Sequence, residues 1–212
     1  MSVSTKKEKV QLWWKWTLIN ALVLILSYII SVFVVLLINE IIFENTVDEW
    51  GSPFEQTVVQ IALGIVIGFS IGITQWRLLR KVFNVSSFWL YSVAIGFIII
   101  ELIAGIILWK LDINRGELSF FEGNPLAHAL ILAITGLLIG LIQLPLLRRH
   151  YSGNAYWVIA SSLAWGISVL LTAIHHQSDL AILITFILGS LLYGAITGAT
   201  LMWILQPKEI KS

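Results

Sequence analysis

Six stretches of this chain are long, nearly uninterrupted apolar runs: residues 12–38, 58–79, 88–109, 126–147, 156–174 and 181–205. Each is near the ~17–25 residues that carry an α-helix across the hydrocarbon core of a bilayer. The runs lack the apolar/polar alternation of a membrane barrel, so helices are expected rather than strands. With 58% hydrophobic and 12% charged residues in 212 positions, a water-soluble core could not hide this much apolar surface. The expected fold class is therefore all-α: a polytopic integral membrane protein with six transmembrane helices in a single membrane domain, residues 1–212. A signal peptide competes for the first run, because "KKEK" precedes it. That run is too long for an h-region and no small-x-small site follows it, so it reads as an uncleaved helix.

Charge fixes the expected orientation. Lys6, Lys7, Lys9, Lys15, Arg77, Arg80, Lys81, Arg148, Arg149, Lys208 and Lys211 flank one side of the runs, whereas only Lys110 and Arg115 flank the other. Basic residues in short loops mark the cytoplasmic side, which puts both termini there. Trp13, Trp14, Trp16, Trp76, Trp89, Trp157 and Trp203 cluster toward that side, as an interfacial belt would. The lipid bilayer is the one certain partner on this reading. A membrane-protein partner or a homo-oligomer is compatible with it, and there is no basic patch of nucleic-acid size.

Two segments repeat. "GFSIGITQWRLLRK" starts at Gly68 and "GLLIGLIQLPLLRR" at Gly136, so Gly68, Gly72, Gln75, Arg80 and Trp89 return as Gly136, Gly140, Gln143, Arg148 and Trp157, each 68 positions later. A weaker echo, "YGAITGATLMWIL", places Gly194, Gly198 and Leu205 against Gly136, Gly140 and Leu147 at an offset of 58. Trp14 is the first-run counterpart of Trp89 on this alignment. The implied unit is a helical hairpin, an outgoing helix opening with Trp and a returning helix ending G-x3-G-x2-Q. Three tandem copies cover about 12–87, 88–154 and 155–207, a parallel rather than inverted repeat. Gly64, Gly68 and Gly72 share a helix face and admit a neighbouring backbone, as do the glycine pairs of the later copies. Gln75 and Gln143 are placed to bond across to a neighbouring helix. Pro145, where the first copy has Arg77, is expected to kink or end its helix.

Tandem G-x3-G-x2-Q-W-x2-L-R hairpins with a closing "YGAITG" segment resemble a group of uncharacterised bacterial membrane proteins common in cyanobacteria. The resemblance covers roughly residues 58–205 and rests on "GITQWRLLR" and "YGAITGATLMWIL"; the second copy departs from it with "QLPLLR". It implies the six-helix hairpin architecture in a bacterial plasma membrane or cyanobacterial thylakoid membrane, and implies no activity.

Residues outside the repeat carry the functional candidates. Glu101 lies mid-run in "GFIIIELIAG", and its counterpart in the second copy is Val169. An acid inside a membrane helix is a candidate ligand-binding or proton-coupling group, with a protonated, hydrogen-bonded packing residue as the plain alternative. Asn20 is its candidate partner, or interhelical glue. Gly68–Gly72 spells G-x-S-x-G, but a nucleophile elbow needs a strand–turn–helix context, which an apolar helix does not provide. His128, His175, His176 and Asp179 fall at the non-cytoplasmic ends of their runs and form at most a weak metal-ligand set. Cysteine is absent, which removes thiol catalysis and thiolate metal sites. No cofactor motif is present. The expected function is a non-enzymatic accessory, scaffold or assembly subunit; the alternative is a small transporter or binding component for an apolar or lipid-like molecule that uses Glu101.

Overall fold

The computed structural model describes residues 6–42, 53–81, 85–111, 125–148, 155–173 and 179–204. They are helical apart from short turn segments. The elements are α1 (Lys6–Ile42), α2 (Pro53–Leu79), α3 (Phe88–Leu111), α4 (Pro125–Arg148), α5 (Ala155–Ala173) and α6 (Asp179–Ile204). Four of them contain segments long and apolar enough to cross a membrane: Lys7–Ile38, Thr57–Leu79, His128–Leu147 and Leu183–Ile204. α3 and α5 contribute the shorter apolar segments Phe88–Ile103 and Ala155–Leu171.

Each helix packs on its neighbours in the chain, and α6 packs on α1, so the six helices close into a ring. The most intimate pairs are α2 with α3 and α4 with α5. These are the pairs joined by the connections at residues 80–87 and 149–154. The unit of tightest packing is thus a returning helix plus the next outgoing one, a different cut from the hairpin drawn on the sequence. The start of α1 meets the end of α6, where Trp13 Nε1 donates to Ala195 O at 3.1 Å, and Trp16, Leu201 and Ile204 share one buried cluster with Leu79, Trp89, Leu147 and Trp157, which flank these two connections. We call this the turn end.

Local signals explain the α2–α3 turn. Arg80 N–H still reaches the Trp76 carbonyl, at 2.9 Å, as the last helical bond of α2. Ser86 then caps α3: its Oγ accepts from Phe88 N–H at 3.2 Å, and its carbonyl accepts from Trp89 N–H at 3.1 Å. Pro145 does not end its helix, since α4 runs on to Arg148.

The close approach of paired helices depends on glycine. A side chain at Gly72 would collide with the Leu90 carbonyl oxygen, and one at Gly68 with the Ala94 backbone. In α4–α5, a Cβ on Gly140 would lie 2.8 Å from Val158 Cα, and one on Gly136 would meet the Ser161 carbonyl. Between α6 and α1, a Cβ on Gly194 would lie 2.7 Å from the Thr17 carbonyl oxygen. Backbones this close gain dispersion contacts that a larger residue would prevent.

The interior is built in layers. At the turn end Trp16, Trp89, Trp157, Leu79, Leu147, Leu201 and Ile204 form one buried cluster. Midway along the ring, Leu24, Phe97, Trp165, Ile71, Ile139, Tyr193, Val93 and Ala164 form a second. Outside, leucines, isoleucines and aromatics such as Leu22, Phe33, Leu130 and Leu163 are exposed on every described helix, as a surface meeting lipid would be.

Candidate functional site

Three of the polar side chains that the sequence singles out, Asn20, Gln75 and Gln143, are fully buried. Gln75 of α2 is buried and acts as a junction. Its Oε1 accepts from the indole N–H of Trp89 on α3 at 3.2 Å. Its Nε2 donates to Asn20 Oδ1 on α1 at 3.0 Å and to Tyr193 OH on α6 at 3.1 Å. One glutamine therefore links four helices. Asn20 is oriented by its own Nδ2 donating to the Trp16 carbonyl at 2.8 Å.

Gln143 of α4 repeats the arrangement. Its Oε1 accepts from the Trp157 indole N–H on α5 at 2.7 Å, and its Nε2 donates to Ser92 Oγ on α3 at 2.9 Å. Both glutamine–tryptophan pairs are separated by 14 residues. Ser92 in turn donates to the Trp89 carbonyl at 2.7 Å. An amide group suits this position because it offers an acceptor and two donors at once, pointing to opposite sides. A buried indole N–H away from water would otherwise remain unpaired, at a cost of about 1–3 kcal/mol.

The three tryptophans at this level are not part of an interfacial belt. Trp16, Trp89 and Trp157 are fully buried, with Trp157 centred 6.4 Å from Trp16 and 5.6 Å from Trp89. Their turn-end position matched a belt in sequence, but their helix faces point inward. Trp16 is buried beside Trp157, as Trp89 is, whereas Trp14 is half exposed. Trp14 and Trp203 do lie outside, the latter edge-on to Tyr156 at 4.7 Å. Arg80 extends over the Trp76 ring, 4.7 Å from its centre.

Asn20 and Glu101 are not brought together. Asn20 faces Trp16 and Gln75, while Glu101 lies two turns beyond Val93, toward the other end of α3. Glu101 is half-buried. The α2–α3 contacts pair Gly72 with Leu90, Gly64 with Phe97 and Thr57 with Gly105. That antiparallel register sets Glu101 on the α2-facing stripe, level with Gln60 and Ile61. Ser70 is an ordinary helical serine, with Oγ donating to the Val66 carbonyl at 2.7 Å. The continuous helix of α2 provides no elbow for it.

His128 is exposed at the start of α4. His175 and His176 lie outside the described residues. Among the described residues, no group of three or more His, Cys, Asp or Glu side chains converges. Sequence reasoning missed Tyr193 and Ser92 as members of the polar network. Ser92 carried a signal, because it lies one turn along from Trp89; Tyr193 carried none. No protein-family model, curated protein or solved structure matches the chain.

Proposed function

We propose that this chain is a six-span integral membrane protein with both termini cytoplasmic, and that it serves as a non-enzymatic accessory, scaffold or assembly subunit. The observation that carries the reading is the use of its interior polar groups. Gln75, Gln143, Asn20, Tyr193, Ser92, Thr197 and the indoles of Trp16, Trp89 and Trp157 bond to one another across helices, and Asn20 and Ser92 also bond to backbone carbonyls of their own helices. They hold the ring together between two packed apolar layers. A network spent on cohesion rigidifies a bundle and gives a partner a fixed lipid-facing surface to recognise. Tandem hairpins packed through glycine faces fit the same reading. A bacterial plasma membrane or a thylakoid membrane is the proposed location.

Glu101 supports a second reading, a small transporter or binding component for an apolar or lipid-like molecule, because an ionisable residue within an apolar helix is costly there. Its place on the stripe facing α2 favours a packing role instead. Native mass spectrometry of protein extracted from its own membrane in mild detergent separates the two. A polypeptide retained at fixed stoichiometry is the expected result. A retained lipid or small molecule, lost in Glu101→Gln, favours the second reading. A bare chain contradicts both.

A further inference from the structure

We infer that α6 and α1 together form a third copy of the unit seen in α2–α3 and α4–α5, in a register one helical turn away from the glycine match in the sequence, with Thr197 standing where the other copies have glutamine. This inference concerns the internal construction of the ring and stands or falls independently of the subunit reading.

Four observations agree on the register. The Trp89 and Trp157 indoles donate to Gln75 and Gln143, and the Trp16 indole donates to Thr197 Oγ1 at 3.0 Å. Gly72 and Gly140 face the backbone of the residue following the tryptophan, Leu90 and Val158; Gly194 faces Thr17, the residue following Trp16. Leu79, Leu147 and Leu201 share the turn-end cluster with the three tryptophans. Ile71, Ile139 and Tyr193 share the middle cluster with Leu24, Phe97 and Trp165, each of which lies eight residues after its tryptophan. From α4 to α6 all of these matches require an offset of 54, not 58. In this register Ser190, another small buried residue, takes the place of Gly136. The sequence could align either small-x3-small pair, because Ser190, Gly194 and Gly198 are evenly spaced.

The ring is then a pseudo-threefold assembly of returning–outgoing pairs, α2–α3, α4–α5 and α6–α1. That third copy differs in chemistry. Gln75 and Gln143 each reach back to the preceding outgoing helix, at Asn20 and Ser92. Thr197 has one hydroxyl, which accepts from Trp16 and donates along its own helix to the Tyr193 carbonyl at 2.8 Å. It therefore provides the indole acceptor without the second tie.

Paired substitutions test the register. At the second copy, Gln143→Thr installs the residue found at 197, whereas Gln143→Leu installs the residue that the 58-residue offset would assign, Leu201. The readouts are the thermal midpoint in detergent and the Trp157 indole N–H resonance. The inference expects Gln143→Thr to keep a hydrogen-bonded Trp157 indole, with a midpoint closer to the parent than that of Gln143→Leu. Equal damage from both, with the indole bond lost in each, overturns it. At the third copy, Leu201→Gln should lower the midpoint by roughly 5 °C or more, because it inserts an amide among Leu79 and Leu147. If Leu201→Gln leaves the midpoint unchanged and shifts the Trp16 indole resonance, the 58-residue register is correct and the inference fails.

Discussion

The glutamine junctions and the Trp16–Thr197 contact do the same task with different means. Gln75 and Gln143 join their tryptophan to a helix on the opposite side, so each resists separation in two directions. Thr197 receives one indole and turns its own proton back along α6. Trp13 adds a second indole bond from α1 to the Ala195 carbonyl of α6. The glutamines thus tie each pair to a neighbouring helix, whereas both indole bonds of α1 go to α6.

The comparison breaks first at the glycines. Gly72→Leu and Gly140→Leu place a branched side chain against the backbone of Leu90 or Val158, and the helices must separate to admit it. The expected loss is about 3 kcal/mol or more, enough to deplete folded protein, measured by unfolding in mixed detergent or by monodisperse yield. Gln143→Leu comes next. It leaves the Trp157 indole and Ser92 without their partner, a cost of about 1–3 kcal/mol in the same assay. Gln75→Leu should cost at least as much, since three partners lose their bond. Thr197→Val is milder, roughly 1 kcal/mol, because only the Trp16 bond crosses between helices there. A loss at Thr197 equal to that at Gln75 would erase the difference between the junctions. Arg80→Ala should change stability least, by about 0.5 kcal/mol, since it removes an exposed cation above the Trp76 ring.

Much of this fold was legible in the sequence, for physical reasons. The helix limits follow from apolar runs ended by charge, Pro and Gly, and the expected limits fall close to the observed helices. The importance of Gln75 and Gln143 was visible because an amide in an apolar helix needs a partner, and Trp89 and Trp157 recur at the same spacing. What was not legible is which face of a helix points inward. Trp13, Trp14 and Trp16 are neighbours in sequence, and only the packing of the other helices selects Trp16 for the interior. The register inferred for the third copy escaped the sequence for a related reason: small residues one turn apart look alike until a neighbouring backbone chooses between them. Tyr193 lies far from Gln75 in the chain, and no local pattern announces such a contact.

The central claim is that three indoles at one level of the ring are buried and held by acceptors on neighbouring helices. Hydrogen–deuterium exchange of the tryptophan indole protons, followed by solution NMR in detergent micelles, tests it most directly. Trp16, Trp89 and Trp157 should exchange slowly and together, while Trp14 and Trp203 exchange quickly. Rapid exchange at Trp16 with protection at Trp89 and Trp157 would show that α6 and α1 do not close the ring, and would contradict the account.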